Sequence, residues 1–150
     1  MKIYSSVFKA GGNIPSRYTI DGINVSPPLE WDEIPDGSQS LALICDDPDA
    51  PMGTWVHWVL FNLPPHKSGL PEGISPVPIL SDGTRHGKND FGKIGYGGPA
   101  PPSGTHRYFF KLYALDIKLS CESGLKKQEL LDEMKGHILA EAQLMGTYNR

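Results

Sequence analysis

The stretch Gly95-Tyr-Gly-Gly-Pro-Ala-Pro-Pro-Ser-Gly-Thr-His-Arg-Tyr108 is a loop rich in glycine and proline that runs directly into a strand. Glycine permits close backbone approach, whereas proline fixes φ and removes an N–H donor. Such a loop is rigid and poor in donors, which is typical of the wall of a site. His106 and Tyr108 lie two residues apart, so they share one face of the strand that follows. We expect this loop to form one half of a small anion-binding pocket.

The strand that follows, Thr105–Asp116, is the longest that the pattern predicts. Two further apolar runs, Ser40–Asp46 and Trp55–Asn62, predict buried strands. In Trp55–Asn62, alternation puts Trp55, His57, Val59 and Phe61 on one face. In Thr105–Asp116, it puts His106, Tyr108, Phe110, Leu112 and Ala114 on one face and Arg107 on the other.

The remaining segments predict a mainly β chain. Strands are expected at Ile3–Phe8, Arg17–Ile20 and Ile138–Tyr148, the last after a short helical turn, with a helix from about Ser123 to Lys135. Residues 64–95 are predicted to be irregular, because prolines and glycines interrupt them throughout. The predicted fold is an antiparallel β-sandwich of two sheets with one or two short helices near the C-terminus, in a single domain spanning 1–150.

The second half of the pocket is expected at Asp47-Pro-Asp-Ala-Pro51 and His57. Proline stiffens the turn on both sides of Asp49, and Asp47 stands where a strand ends. Both aspartates could instead cap the turn by accepting backbone N–H bonds. His57 could equally be a core histidine bonded to a carbonyl, since its strand is apolar on both faces.

Two imidazoles, a phenol and an aspartate could converge from these two stretches to bind a small oxyanion. Asp47 is then expected to orient a histidine and favour its charged form rather than contact the anion. Arg107 points away from the pocket and is expected to form a salt bridge, or to brace the Asp47–Pro51 turn from behind. The other histidines, His66, His86 and His137, are predicted to lie on the surface or in loops.

The composition excludes several classes of partner. A formal net charge of −3 and a pI near 5.9 disfavour nucleic acid, because no surplus of cations is present to neutralise phosphates. No apolar run approaches the length of a membrane span, and no secretory signal is expected at the N-terminus. The two cysteines, Cys45 and Cys121, lack metal or redox spacing, which favours the cytoplasm.

Taken in order, Asp47-Pro-Asp-Ala-Pro51, Trp55-Val-His-Trp58 and the Gly95–Tyr108 stretch resemble the phosphatidylethanolamine-binding protein family, also called the Raf kinase inhibitor protein family. The resemblance covers nearly the whole chain. Three shorter segments also fit the bacterial and archaeal branch of the family: Ser26-Pro-Pro-Leu-Glu-Trp31, Lys88-Asn-Asp-Phe91 and Gly136-His-Ile-Leu139.

The resemblance implies the two-sheet sandwich and a pocket for phosphate, phosphorylethanolamine-like head groups or carboxylates. The positions it assigns to the ligand are Asp47, His57, His106 and Tyr108, with walls from Ala50, Pro51, Trp55, Gly98 and Pro101 and a supporting role for Asp49. Eukaryotic members have a longer insertion before the second histidine and a helix over the pocket mouth. Because Ser103-Gly-Thr-His106 is short and the sequence ends at Arg150, no kinase partner is expected.

We therefore predict a binding protein without catalytic residues or a cofactor, which could regulate a protein partner. Two alternatives remain open on the residues alone. Asp47, His57 and His106 could perform acid–base hydrolysis, or the same three side chains could hold a metal ion. Apolar edge strands would also allow a homodimer.

Overall fold

The computed structural model describes residues 1–150. It is mainly β and contains two antiparallel sheets. In chain order the strands are β1 (Lys2–Tyr4), β2 (Leu29–Asp32), β3 (Ser40–Asp47), β4 (Trp55–Leu63), β5 (Gly69–Leu70), β6 (Arg85–His86), β7 (Thr105–Leu115) and β8 (Ile138–Asn149). The one α-helix, α1 (Lys127–Met134), lies between β7 and β8. The predicted fold class is confirmed.

The larger sheet has the strand order β6-β4-β3-β7-β8, and the smaller has the order β1-β2-β5. The two sheets enclose the main hydrophobic core, to which Trp31 contributes from β2, Trp58 from β4 and Phe110 from β7. A second core lies on the other face of the larger sheet, where Leu130 and Met134 of α1 pack against Val59 and Phe61. The larger sheet is therefore covered on both faces, which explains why β3 is buried along its whole length.

Several predicted boundaries were wrong for local reasons. β1 ends at Tyr4 because the Ser5 hydroxyl then donates to Pro28 O and accepts the N–H of Val7, forming a turn. The stretch predicted as a strand at Arg17–Ile20 instead contains a 3-10 helix at Ser16–Tyr18. No helical turn precedes β8, which begins at Ile138 soon after α1 ends.

The helix prediction near the C-terminus is confirmed, since α1 falls within the predicted range. The helix has eight residues, and the chain contains no helix with the length and hydropathy of a transmembrane span.

Candidate functional site

The pocket begins where the end of β3 lies beside the start of β7. The two strands are antiparallel neighbours, with Asp46 opposite Phe109. The next residue, Asp47, therefore lies beside the first side chains of β7. The Asp47 carboxylate lies 2.6 Å from Nδ1 of His106 and also accepts the backbone N–H of Asp49 at 2.7 Å. One carboxylate thus orients the histidine and fixes the turn after β3.

A β-bulge in β4 brings His57 into the same pocket. Cys45 pairs with Trp58 while the next residue, Asp46, pairs with Val56, so His57 is the extra residue of β4. The His57 ring packs edge-on against Tyr108 with ring centroids 5.2 Å apart. The predicted face of this strand was therefore wrong. Val59 and Phe61 lie on the helix side of the sheet, whereas His57 lies on the side of Tyr108.

The glycine-rich loop holds the His57 ring in place. Nδ1 of His57 lies 2.6 Å from the carbonyl oxygen of Gly97, and the N–H of Gly97 donates to the carbonyl of His57. Burial lowers the pKa of His57, although the bond to Gly97 and the charge of Asp47 oppose that shift. The core-histidine interpretation is thus correct in one respect, since a carbonyl satisfies Nδ1. The contact with Gly97 is the one hydrogen bond that the His57 ring makes within the protein, which leaves Nε2 free.

Tyr108 contributes a hydroxyl without a partner. The side chain is 1% exposed, and its oxygen makes no hydrogen bond within the protein. Burial, followed by the charge of Asp47, raises the pKa of Tyr108 well above its ordinary value, so the hydroxyl stays protonated and remains a donor. A buried hydroxyl without an acceptor is uncommon in folded proteins and suggests that a ligand atom completes it.

These side chains enclose a cavity of about 230 Å³. It is lined by Asp47, Ala50, Pro51, Met52, Trp55, His57, Phe91, Ala100, Pro101, Pro102, His106 and Tyr108. All the predicted ligand and wall positions line it except Gly98. Gly98 packs instead against Asn24 and Tyr18, where its N–H donates to Asn24 Oδ1 and where a Cβ would collide with Tyr18 O.

The sequence reasoning did not name four of the lining residues: Ala100 and Pro102 of the glycine- and proline-rich loop, and Phe91 and Met52 at the mouth of the cavity. Phe91 packs edge-on against both Trp55 and His57, with ring centroids 5.6 and 5.5 Å away. It reaches them because the neighbouring Asp90 forms two hydrogen bonds with Val56 of β4. The only signal in the sequence was that Phe91 ends Lys88-Asn-Asp-Phe91, a segment that fits the family. The sequence analysis assigned no role to that segment.

Asp49 and Arg107 lie outside the cavity and join the turn to β7. The guanidinium forms a two-pronged contact with the Asp49 carboxylate at 2.9 and 2.8 Å, and the backbone N–H of Arg107 adds a third bond. The side-chain hydrogen bond to Arg107 lowers the pKa of Asp49 to about 2. Because Asp49 faces Arg107, Asp47 is the only carboxylate that lines the cavity.

One of the other histidines was placed wrongly by the sequence reasoning. His86 is fully buried, because β6 pairs with β4. Its Nδ1 lies 2.7 Å from Val77 O, and its Nε2 accepts the indole N–H of Trp58 at 3.1 Å. His86 is therefore a satisfied core residue.

Two chemical features bear on the alternative functions. No group of three or more His, Cys, Asp or Glu side chains stands close enough together to hold a metal ion. No serine, threonine or cysteine lines the cavity, so the chemistry it can offer is that of two imidazoles, one carboxylate and one phenol.

Comparison with known proteins gives consistent results. The family model described as phosphatidylethanolamine-binding protein matches residues 4–149. A UPF0098 protein of Methanothermobacter thermautotrophicus is 55% identical over 150 residues, covering 100% of this chain and 99% of the relative. A UPF0098 protein of Aquifex aeolicus is 45% identical, covering 100% of this chain and 89% of the relative.

Solved structures match over the same length. The crystal structure of CT736 from Chlamydia trachomatis, described as a homolog of phosphatidylethanolamine-binding protein, superposes with a TM-score of 0.92 at 43% identity, covering 99% of this chain and 97% of that one. YbcL of E. coli superposes with a TM-score of 0.90 at 30% identity, covering 99% and 98% of the two chains.

Proposed function

The chain belongs to the phosphatidylethanolamine-binding protein family, and from that premise we propose that it is a non-enzymatic binding protein for a small oxyanion. Relatives in archaea and bacteria agree with the bacterial and archaeal branch. The ligands proposed are phosphate, phosphorylethanolamine-like groups and carboxylates. The contacts proposed are Asp47, His57, His106 and Tyr108, with Ala50, Pro51, Trp55 and Pro101 as walls and the Asp49–Arg107 pair as the support of the turn.

The observation that carries this proposal is the buried Tyr108 hydroxyl, which has no partner in the protein. Its proton needs an acceptor, and an oxyanion supplies one. A hydrogen bond to a charged acceptor is also about twice as strong as one between neutral groups.

The two histidine rings can donate to an anion only if protonation of a ring accompanies binding. Nδ1 of each ring faces an acceptor, the Gly97 carbonyl for His57 and the Asp47 carboxylate for His106. In the neutral rings Nδ1 therefore carries the proton and Nε2 is a bare acceptor. Nε2 can donate to an oxyanion only after the ring takes up a second proton. At His106 the Asp47 carboxylate balances that charge.

The cavity is less suited to hydrolysis. A pair of carboxylates is the usual apparatus for acid–base cleavage of a glycoside, but only Asp47 lines the cavity. No aliphatic hydroxyl or thiol lies beside a histidine there to act as a nucleophile. We therefore favour binding over the hydrolase alternative.

A cytoplasmic location, expected from the cysteine usage, belongs to the same proposal.

Exposed apolar side chains at the mouth of the cavity suggest that a protein partner distinguishes the ligand-bound from the ligand-free protein. Met52 is 95% exposed and Phe91 is 40% exposed, and both line the cavity. A partner that packs on them would contact the ligand at the same time. Regulation of a partner is thus part of the proposal.

The test is a histidine NMR titration with inorganic phosphate. We expect the ring signals of His57 and His106 to shift, with an affinity that falls as pH rises through the pKa of His57, which burial lowers below 6.5. The matched control is His137→Ala, which removes an exposed histidine paired with Asp116 and should leave the response intact. His106→Ala should abolish the response while the remaining spectrum stays dispersed.

Two results would count against the proposal. One is the absence of any shift in the wild type at millimolar phosphate. The other is a full response in His106→Ala. If His106→Ala unfolds, Tyr108→Phe replaces it, because that change leaves the Asp47–His106 pair in place.

A further inference from the structure

A second cavity lies beside the anion pocket and shares one wall with it. It has a volume of about 300 Å³, and its apolar lining comes from Ile20, Pro76, Phe91, Ile94 and Tyr96. Phe91 also lines the first cavity, so the two spaces meet at the Phe91 ring.

The Phe91 ring is packed against other residues on both sides. Trp55 and His57 pack edge-on against it from the side of the first cavity. On the other side, a Cβ on Gly97 would come within 2.6 Å of the ring, so glycine at that position lets the loop backbone pack against it. The ring thus lies between the two cavities, and its exposed edge offers an aromatic surface to both.

Most polar side-chain groups of the second cavity are already hydrogen-bonded within the protein. Asn24 Oδ1 accepts the N–H of Gly98, and the Asn89 side chain bonds to the loop backbone at Gly95, Phe91 and Lys93. What remains for a guest is apolar surface, the Nδ2 donor of Asn24 and the ammonium group of Lys93, which lines this cavity and forms no ion pair. An apolar group fits such a space, and a cationic group does not.

From this arrangement we propose that the ligand has two parts: an oxyanion in the first cavity and an apolar substituent that crosses the Phe91 ring into the second. This inference rests on the proposed function and narrows its ligand to organic phosphates or carboxylates with an apolar tail. An ammonium-bearing tail such as that of phosphorylethanolamine would meet Lys93 and is disfavoured.

The test compares three probes by calorimetric titration: inorganic phosphate, 2-naphthyl phosphate and phosphorylethanolamine. Burial of part of the naphthyl group should make 2-naphthyl phosphate bind at least about tenfold more tightly than phosphate. Phosphorylethanolamine should bind no more tightly than phosphate.

Two matched variants locate the tail. Ile20 lines only the second cavity and is 48% exposed, so Ile20→Ser is expected to fold. Met52 lines only the first cavity, at its open side. Ile20→Ser should reduce the naphthyl advantage by about threefold or more and leave phosphate affinity unchanged. Met52→Ser should leave the advantage as it is.

Three outcomes overturn this inference while phosphate still binds. They are a naphthyl advantage below twofold in the wild type, an advantage that is lost in Met52→Ser but kept in Ile20→Ser, and tighter binding of phosphorylethanolamine than of 2-naphthyl phosphate. Failure of the proposed function has a different signature: none of the three probes binds, which refutes both.

Discussion

Tyr108→Phe should change stability and affinity in opposite directions. The substitution removes one oxygen atom that is buried and unpaired in the protein, and it leaves the ring that packs against His57. A buried polar group without a partner destabilises the folded state by about 1–3 kcal/mol. Without an anion, the variant should therefore have a free energy of unfolding about 1 kcal/mol higher than the wild type.

Affinity should fall because the anion loses a donor. A hydrogen bond to a charged group contributes about 1.5–3 kcal/mol, so phosphate should bind about 10- to 100-fold more weakly. At a phosphate concentration about 100 times the wild-type Kd, the wild type gains about 2.7 kcal/mol of stability. The variant should then gain only about 0.4–1.4 kcal/mol, and the order of stability should reverse.

The assay is urea unfolding in phosphate-free buffer and again with added phosphate. Tyr148→Phe is the matched control, because its hydroxyl donates to Asp21 at 2.7 Å and does not line the cavity. It should lose slight stability and keep its affinity. The reasoning is refuted if Tyr108→Phe is less stable than the wild type without anion, or if phosphate affinity is unchanged.

Three further variants or titrations test separate parts of the structure. Asp47→Asn should weaken phosphate binding by about tenfold, because Nδ1 of His106 loses the charged acceptor that orients the ring. Equal affinity in a calorimetric titration would contradict this role. Arg107→Gln should change the free energy of unfolding by less than about 1 kcal/mol, because the ion pair between Arg107 and Asp49 lies at the surface. The substitution should nevertheless speed amide hydrogen exchange in the turn after β3. Unchanged exchange would contradict the role of Arg107 in holding that turn. Burial lowers the pKa of His86 below the ordinary 6.5. The unfolded chain therefore binds a proton at this histidine more readily than the folded protein, and stability should fall as pH drops below 6.5. An NMR titration midpoint at or above 6.5 would contradict the buried setting of His86.

The long strands were predictable from sequence because their apolar patterns are decisive. β3, β4 and β7 were predicted within one residue of their observed ends, and α1 has helix formers before a glycine. The short elements were not predictable in the same way. The turn that ends β1 depends on a contact between Ser5 and Pro28, which are far apart in sequence.

The pocket was partly predictable because its residues mark the ends of two strands and one stiff loop. The face of His57 was not, since alternation assumes a regular strand and the bulge at His57 breaks the period. Phe91 was missed because its position depends on hydrogen bonds between Asp90 and Val56. His86 was placed at the surface because the two-residue strand that buries it has no pattern of its own.

A crystal structure of the protein grown with saturating phosphate tests the anion pocket most directly. We predict a phosphate in the 230 Å³ cavity, with one oxygen about 2.6–2.9 Å from the Tyr108 hydroxyl and another within hydrogen-bond distance of Nε2 of His106. An empty or water-filled cavity, or a phosphate that is bound without contact to Tyr108, would contradict the proposal.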